Sequence, residues 1–321
     1  PWLAKSWICH HTNSRLWPKK AYDPRDHAVS AGNNTQLGVL LMVATTIIFA
    51  IQDGLSLHLS STYNVYMVVM VRYWFFAAFV MTISANQTGG LRNAARTKQP
   101  FLQGFRGILL AAEICVMVSA FTLLGLVESL AIFSAYTLIV AALSGPILGE
   151  SVGWRRWLAI GVGLCGVLII LKPGIGVFSP YAIIPLGSAF MFALYSLLTR
   201  YVARLDSTAT SFFWTGVMGC IFMTVIGAFH FENMIATDWM LMLCLCCTGA
   251  TGHWLLIRCY EAAEASAVQP VTYLQLVFGS AIGVLIFGEV IKPNVALGAV
   301  IVVSAGLFTL WRARVALNPT D

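Results

Sequence analysis

The sequence predicts an all-α membrane protein with ten transmembrane helices in two inverted five-helix repeats. Three observations support this. The chain contains ten apolar stretches of about bilayer length, its basic residues fall almost entirely in alternate connecting segments, and one motif recurs after 139 residues. A spanning helix needs about 20 apolar residues, because the hydrocarbon core is about 30 Å thick and a helix rises about 1.5 Å per residue.

The ten apolar stretches predict helices rather than strands. Hydrophobic residues make up 59% of the 321-residue chain and charged residues only 10%, whereas a soluble domain carries about 25% charged residues. Stretches such as 37–50 and 157–171 do not alternate between apolar and polar residues, as the strands of a membrane barrel do. The predicted spans are 36–59, 64–85, 101–124, 127–148, 154–172, 178–202, 207–229, 237–260, 265–288 and 292–313.

The basic residues predict the orientation of these spans. With a cytoplasmic N-terminus, 15 of the 19 Lys and Arg residues lie in cytoplasmic segments, Lys172 and Lys292 lie outside, and Arg72 and Arg106 lie within spans. Cytoplasmic segments of membrane proteins are enriched in Lys and Arg. The net charge of +6 is therefore a topology signal, not a nucleic-acid-binding surface. Both termini are expected in the cytoplasm, as tails 1–35 and 314–321.

The motifs in the chain do not predict a metal, a cofactor or an enzyme. The sequence contains no GxxxxGK[ST] phosphate loop, no HExxH and no catalytic serine elbow. Cys244, Cys246 and Cys247 lie among Leu and Met with no His or carboxylate nearby, so they are interpreted as packing residues. The run 9–11, Cys-His-His, lies in the polar N-terminal tail and is too weak a pattern to predict a metal site.

An internal repeat divides the chain into two halves. The sequence GPILGE (145–150) ends the fourth span, VLIFGE (284–289) ends the ninth, and a Gly-rich span follows each. Glu150 and Glu289 are 139 residues apart, which is half of the region that the ten spans cover. Because five helices per half is an odd number, the halves must be inverted relative to each other. Secondary transporters commonly have this architecture, with the solute bound near the midplane between the repeats.

These residues carry a family resemblance. Ten spans, a Gly-Glu at the end of the fourth span of each half, and the segment AEASAVQPVTYLQLVFGSAIGVLIFGE (263–289) resemble the EamA type of the drug/metabolite transporter superfamily. The resemblance covers about 36–313, with repeats at 36–172 and 178–313. It implies a secondary transporter with a central cavity lined by both halves. Members export amino acids and related solutes or take up vitamins such as riboflavin.

Ionisable residues within the spans are the first candidates for a solute pathway, because a charge in lipid is costly unless it is paired or faces water. Asp53 and Arg72 lie about 9 Å and 12 Å from the outer surface on consecutive spans. They are interpreted either as a structural ion pair or as a gate or site for a solute carboxylate, and Gln52 adds a polar side chain beside them.

Two further positions, one in each half, lie at matching places in the repeat. Glu113 is near the middle of the third span, and His253 falls one residue from its counterpart on the eighth. Desolvation disfavours the charged form of a carboxyl, so Glu113 is the candidate for a coupled proton or a cation contact. A protonated, hydrogen-bonded structural glutamate remains the alternative, as does core packing for His253. Arg106 lies on the same span as Glu113, and Trp254 follows His253.

Aromatic and amide side chains complete the candidate pathway. Tyr136 and Tyr273 occupy similar places in the fourth and ninth spans, and Gln269 and Gln275 flank Tyr273. Tyr195 and Trp214 add aromatic surface in the sixth and seventh spans, although packing is an alternative for each ring. This combination suits a planar or zwitterionic solute better than a bare ion.

The sequence therefore predicts a multi-pass secondary transporter of the bacterial inner membrane. It would move a small amino acid-like or vitamin-like solute by alternating access, in contact with the bilayer and without nucleic acid. A coupled proton and a homodimer are both left open. The alternative is an integral-membrane enzyme acting on a lipid-linked substrate, but such enzymes gather polar residues at one interface, whereas here they are spread through the depth.

Overall fold

The computed structural model describes residues 35–86, 90–148, 153–171, 180–203, 205–262 and 269–317. Within these ranges the chain forms helices and no β-strand, so the predicted all-helical class is confirmed. The α-helices are α1 Thr35–Thr62, α2 Val65–Asn86, α3 Gly90–Ala95, α4 Pro100–Leu124, α5 Leu126–Phe133, α6 Tyr136–Leu148, α7 Trp154–Leu171, α8 Ile183–Val202, α9 Thr208–Gly227, α10 Ala236–Ala262, α11 Leu274–Phe287 and α12 Pro293–Leu317. Short 3-10 helices occupy Pro180–Ala182, Ala228–His230 and Gln269–Tyr273.

Within the described ranges, seven helical segments are long and apolar enough to cross a membrane. They are Gln36–Thr62, Val65–Asn86, Pro100–Leu124, Leu126–Leu148, Pro180–Val202, Ala209–His230 and Ala236–Leu256. Three further apolar helices, Trp157–Leu171, Val271–Phe287 and Pro293–Thr309, are shorter. The protein is therefore a multi-pass membrane protein.

The fourth apolar stretch is broken into two helices. α5 ends at Phe133 and α6 begins at Tyr136. Around the break, the Ser134 hydroxyl donates to the Ala131 carbonyl at 2.6 Å and the Thr137 hydroxyl donates to the Ser134 carbonyl at 3.1 Å. Such bonds from hydroxyl side chains compete with the regular helical pattern and bend helices. The helix is thus interrupted at 134–135, although Leu126–Leu148 still counts as one span.

The helices pack mainly in pairs that lie far apart in sequence. α7 packs along α12, α1 along α10, and α2 along α9. α4 packs against α8 and α9, α1 also packs against α11, and α6 packs against α8. Most of the bundle core therefore lies between helices of the first and second parts of the chain.

Small residues let α7 and α12 approach closely. A side-chain carbon added at Gly298 would lie 2.5 Å from the Gly166 carbonyl oxygen, and one added at Gly166 would lie 2.9 Å from the Gly298 oxygen. Helices in lipid gain much of their association from such close packing, because burial of apolar surface supplies little there. These two glycines fix the contact between the helices that end each half.

Candidate functional site

Buried polar side chains gather where α1, α2 and α4 face α8, α10 and α11. Gln52 and Asp53 lie on α1, Arg72 on α2 and Glu113 on α4, and all four are buried. Their charged groups act on one another electrostatically, since Arg72 lies within range of both carboxyls. We refer to these four residues as the central polar cluster.

Asp53 is bound by the second part of the chain. Its Oδ2 accepts a hydrogen bond of 2.8 Å from the side-chain amide of Gln275 on α11. No ion pair within 4.0 Å joins Asp53 to Arg72 in the described part of the chain. Of the two interpretations of this pair, the structural ion pair is therefore not formed in this conformation.

Glu113 is bound in the same way. Its Oε1 accepts a 2.6 Å hydrogen bond from the hydroxyl of Ser188 on α8. Ser188 is fully buried, so this contact lies inside the bundle, between helices of different halves. Sequence reasoning missed Ser188, because a single serine in an apolar helix commonly bonds only its own backbone.

Arg72 lies at the edge of a small pocket. The pocket is lined by Arg72, Tyr73, Phe76, Leu110, Ile114, Cys246, Gly249, Ala250 and His253. Among the described residues Arg72 makes no hydrogen bond and no ion pair, although its side chain is only 8% exposed. Gly249 provides the space, since an added side-chain carbon there would lie 3.3 Å from Arg72 Nε and 3.2 Å from Gln52 Oε1.

His253 closes the α10 side of this pocket among aromatic rings. Its ring centre lies 5.3 Å from that of Phe49 and 5.7 Å from that of Phe76. Its neighbour Trp254 is 46% exposed, which places Trp254 on the outer surface of the bundle and away from the central polar cluster.

Arg106 forms a second buried centre, with partners from two helices of the second half. Its Nη atoms donate to five oxygens that belong to uncharged groups. Those of Tyr195, Thr199, Ser211 and Thr215 lie on α8 and α9, and that of Gln103 lies one turn away on α4. Gln103 was missed by sequence reasoning, although its i, i+3 spacing from Arg106 places both residues on one face of the helix. Trp214 donates to the Ala95 carbonyl at 3.1 Å, next to this centre.

Aromatic side chains connect the two centres. Phe133 and Tyr136 pack against Phe192 at 5.5 Å and 5.0 Å between ring centres, and Phe192 lies 6.0 Å from Tyr195. Tyr136 also lines a second pocket with Tyr273 and Gln275, and Tyr273 hydrogen-bonds Thr137. The side chain of Gln269 lies outside the described residues. Phe192, the centre of this row, carried no signal in the sequence that set it apart from packing residues.

Glu289 links two helix ends near the edge of the bundle. Its Oε1 and Oε2 accept hydrogen bonds from the backbone N–H groups of Leu126 and Val127, at 2.6 Å and 2.8 Å. A carboxylate at a helix N-terminus satisfies free N–H groups and interacts well with the helix dipole. Nearby, Lys292 and Glu128 form an ion pair at 2.7 Å. Glu150, the repeat counterpart of Glu289, lies outside the described residues.

The chemistry of this interior is binding chemistry. The described residues hold no group of three or more His, Cys, Asp or Glu side chains placed for a metal ion. They do hold separated charges, amides and aromatic rings, which together can bind a polar organic molecule.

The match to a protein-family model decides between a transporter and an enzyme. The model of the EamA-like transporter family matches residues 36–172 and matches again at 179–311. The chain belongs to the EamA-like transporter family. It is therefore a transporter of the drug/metabolite transporter superfamily and not an enzyme.

Individual relatives of this EamA transporter support the same class. An S-adenosylmethionine uptake transporter of Rickettsia prowazekii (strain Madrid E) is 23% identical over 281 residues, covering 88% of this chain and 95% of that protein. A riboflavin transporter of Vibrio cholerae serotype O1 is 27% identical over 280 residues, covering 86% and 94%. A solved crystal structure superposes with a TM-score of 0.60 at 15% identity, covering 87% of this chain and 98% of that one, and shows the same fold.

Proposed function

We propose that this protein is a secondary transporter that moves a small organic metabolite across the bacterial inner membrane. Transport occurs by alternating access between two inverted five-helix repeats, 36–172 and 178–313. Two of its relatives are named as transporters of S-adenosylmethionine and of riboflavin, so these are the first solutes to test. The alternative of an enzyme acting on a lipid-linked substrate is set aside on the family relationship.

One observation carries the proposal. Buried charges of the first half are held by polar groups of the second half: Asp53 by Gln275 and Glu113 by Ser188. If the halves rock apart on one side, these contacts are the ones that must be exchanged for contacts with a solute or water. A polar seam between two packed halves is where an alternating-access transporter binds its solute.

The repeat offset of 139 residues supports the two-repeat organisation. It relates the end of α6, Leu148, to the end of α11, Phe287, and the start of α7, Trp154, to the start of α12, Pro293. The counterpart of Tyr136, where α6 begins after the break, is Gln275. In the second half the 3-10 helix ends at Tyr273 and α11 begins at Leu274, one residue before that counterpart. The family model, matching once in each half, agrees.

Contacts across the central seam are related by the same offset. Asp53 and Gln275 correspond to Phe192 and Tyr136, whose rings pack at 5.0 Å. Likewise, the Glu113–Ser188 bond corresponds, within one residue, to the packing of His253 on Phe49 at 5.3 Å. Two contacts that the repeat offset relates to each other are thus polar on one side of the seam and aromatic on the other. This asymmetry suits a solute with a charged end and a planar or apolar end.

Contacts between connecting segments support the crossing pattern. Tyr63 donates to Asp238 at 2.7 Å, joining two segments assigned to the outside. Glu289 and Leu126 likewise join two outside segments, and Thr97 joins Asp206 between two cytoplasmic ones. Each contact pairs segments that ten crossings would place on the same side of the membrane.

Flux into liposomes tests the proposal. The purified full chain is reconstituted, and uptake of radiolabelled S-adenosylmethionine or riboflavin is compared with protein-free vesicles. Saturable flux that is stimulated by the same solute loaded on the opposite side is expected, because an alternating-access carrier exchanges solute. Vesicles that never exceed the protein-free rate with either solute or with a panel of amino acids would contradict the proposal.

A further inference from the structure

We propose that Arg72, Gln52 and Asp53 form the binding site for the amino-acid end of a zwitterionic solute. Arg72 takes the carboxylate, and Gln52 and Asp53 take the ammonium group. This inference rests on the proposed transport function and names the chemical class of solute for the pathway described above.

The contrast between the two intramembrane arginines is the first argument. Arg106 is 1% exposed, and its Nη atoms reach five oxygens of the protein. Arg72 is nearly as deeply buried, at 8% exposure, yet in the described part of the chain it has neither a hydrogen bond nor an ion pair. A guanidinium at this depth is costly unless it is paired or reaches water. The two carboxyls within electrostatic range of Arg72 are hydrogen-bonded by Gln275 and Ser188 instead, so the position of Arg72 points to a partner that arrives from outside the chain.

The chemistry of that partner follows from the guanidinium. Its N–H groups form a planar fork that matches the two oxygens of a carboxylate. Arg72 lines a pocket together with Gly249 and His253 on α10 and Tyr73 and Phe76 on α2. No carboxylate of the described residues occupies an ion-pairing position there. The pocket thus offers a place for a carboxylate supplied by the solute.

A hydrogen-bond acceptor, Gln52 Oε1, lies beside the same glycine as this donor. Gln52 Oε1 is buried and has no hydrogen-bond partner among the described residues, and its side chain is only 7% exposed. The added-carbon position at Gly249 lies 3.2 Å from Gln52 Oε1 and 3.3 Å from Arg72 Nε. The buried Gln52 oxygen and the Arg72 guanidinium, neither of which has a hydrogen-bond partner among the described residues, therefore both border the space above Gly249. A solute that binds both Arg72 and Gln52 must carry a hydrogen-bond donor next to its carboxylate.

Charge selects an ammonium group as that donor. Asp53 neighbours Gln52 on α1, and its Oδ2 accepts the hydrogen bond from Gln275. A carboxylate on Arg72 and an ammonium on Gln52 and Asp53 give both charged side chains a partner in the solute, whereas an anion alone would add negative charge to a cluster in which the carboxyls of Asp53 and Glu113 already face Arg72 alone. Leu110, Ile114 and Phe76 form an apolar wall of the same pocket, which would contact the remainder of the solute. The class is therefore α-amino acids and metabolites that carry an α-amino-acid group, attached to an apolar or planar part.

Matched pairs of solutes test the assignment. Binding to the purified full chain is measured for S-adenosylmethionine and decarboxylated S-adenosylmethionine, for methionine and 3-(methylthio)propylamine, and for riboflavin. Each pair differs only in the carboxylate, and riboflavin lacks one. The variants are Arg72→Gln, Arg72→Lys, and Cys247→Ser as a control, because Cys247 is exposed on the outer side of α10.

The expected result is a loss of discrimination. Wild type and Cys247→Ser bind the carboxylate-bearing member of at least one pair more tightly, and Arg72→Gln weakens that member by about 30-fold, as loss of charge-assisted hydrogen bonds requires. The same variant changes binding of the carboxylate-free member by less than about threefold, and Arg72→Lys falls between, because it keeps the charge and loses the fork. Equal weakening of both members by Arg72→Gln, or binding of riboflavin alone, would overturn the inference.

Two further outcomes keep the inference separate from the transport proposal. Should Arg72→Gln not fold, the wild-type ratio within each pair decides, and equal affinities for both members overturn the assignment. If wild type carries any of these solutes into liposomes but binds both members of each pair with equal affinity, the transport proposal holds and the assignment of this site fails. No flux and no binding of any of them would count against both.

Discussion

Glu113 and Ser188 form a 2.6 Å hydrogen bond that joins α4 of the first half to α8 of the second. The acceptor is a carboxyl oxygen buried in the bundle, and the nearby charges are Arg72 on α2 and Asp53 on α1. A carboxyl in such a place can exist protonated or paired, and the two states differ in their interaction with Arg72. We therefore propose Glu113 as the group whose protonation is coupled to movement of the halves.

The first prediction is that Glu113→Gln stays folded and loses the pH dependence of transport. The amide has the shape of a protonated carboxyl, and its oxygen still accepts from Ser188. Flux in liposomes is measured for wild type and variant from mildly acidic to mildly alkaline pH. A flat profile is expected for the variant. If its rates follow the wild-type profile, Glu113 has a structural role only.

The second prediction concerns the bond between Asp53 and Gln275. Asp53→Asn should leave thermal stability nearly unchanged, because the Asn oxygen still accepts from Gln275. Gln275→Leu should lower the free energy of unfolding by about 1–3 kcal/mol, because it leaves a buried carboxyl without its donor. Thermal unfolding of both variants in the same detergent provides the measurement. Equal melting temperatures for Gln275→Leu and wild type would show that water already satisfies Asp53.

The third prediction compares Gly249 with Gly161. A side chain at Gly249 would crowd Gln52 and Arg72, whereas at Gly161 on α7 an added carbon meets nothing within 4 Å. Each Gly→Ala change gains helix propensity of up to about 1 kcal/mol. Gly161→Ala should therefore transport normally, and Gly249→Ala should weaken solute binding about tenfold or more by narrowing the pocket. Normal binding by Gly249→Ala would show that the solute lies elsewhere.

The fourth prediction tests the carboxylate that caps α5. Glu289→Gln keeps one acceptor oxygen, so one of the N–H groups of Leu126 and Val127 loses its partner. Loss of such a cap costs about 0.5–2 kcal/mol. Glu128→Gln is the matched control, because its ion pair with the mostly exposed Lys292 is worth about 0–1 kcal/mol. Thermal unfolding should separate the two variants, with Glu289→Gln the less stable. The reverse order would mean that the cap does not hold the start of α5.

Much of the fold follows from hydropathy. Predicted and observed bounds agree within a few residues for most helices, for example 101–124 against Pro100–Leu124, because a long apolar segment in lipid must satisfy its backbone internally. The break between α5 and α6 could not be predicted, since no Gly or Pro lies at 134–135 and hydroxyl bonds like those of Ser134 and Thr137 also occur inside the unbroken helices, for example at Ser56. α3 was missed because six residues, Gly90–Ala95, leave no periodicity to recognise.

The candidate site was only half predictable. Charged residues in apolar spans are conspicuous, and so Asp53, Arg72 and Glu113 were found. Their partners depend on which helices meet, and that is set by packing between distant parts of the chain. Ser188 could therefore not be matched to Glu113, nor Gln275 to Asp53, from the sequence. Depth alone suggested that Asp53 would pair with Arg72, but helix rotation directs Asp53 toward α11 instead.

Asp206 lies between α8 and α9, outside the spanning helices, where it holds the segment before α4. It accepts hydrogen bonds from the Thr97 hydroxyl, from the Lys98 backbone N–H at 3.0 Å and from the Gln103 amide at 3.0 Å. Burial acts to raise the pKa of this carboxyl, but the hydrogen bonds outweigh it and hold the pKa below its usual range. The charged form is thus favoured more in the folded protein than in the unfolded chain.

The last prediction is the pH dependence that follows for Asp206. A lowered folded-state pKa stabilises the fold above the unfolded pKa of about 3.9, and the stabilisation disappears as pH falls through the folded value. Asp206→Asn should therefore be less stable than wild type near neutral pH, and the difference should shrink as the pH falls below about 4. Melting temperatures of both proteins in the same detergent, from about pH 7 to about pH 3, give this difference directly. The control is Glu232→Gln, because the Glu232 carboxylate accepts a hydrogen bond from the Asn64 backbone N–H between segments assigned to the opposite side of the membrane. A Gln99→Glu control is avoided, since it would add a charge beside Thr97. A difference between wild type and Asp206→Asn that stays constant over the whole range would show that the hydrogen bonds to Asp206 do not depend on its charge.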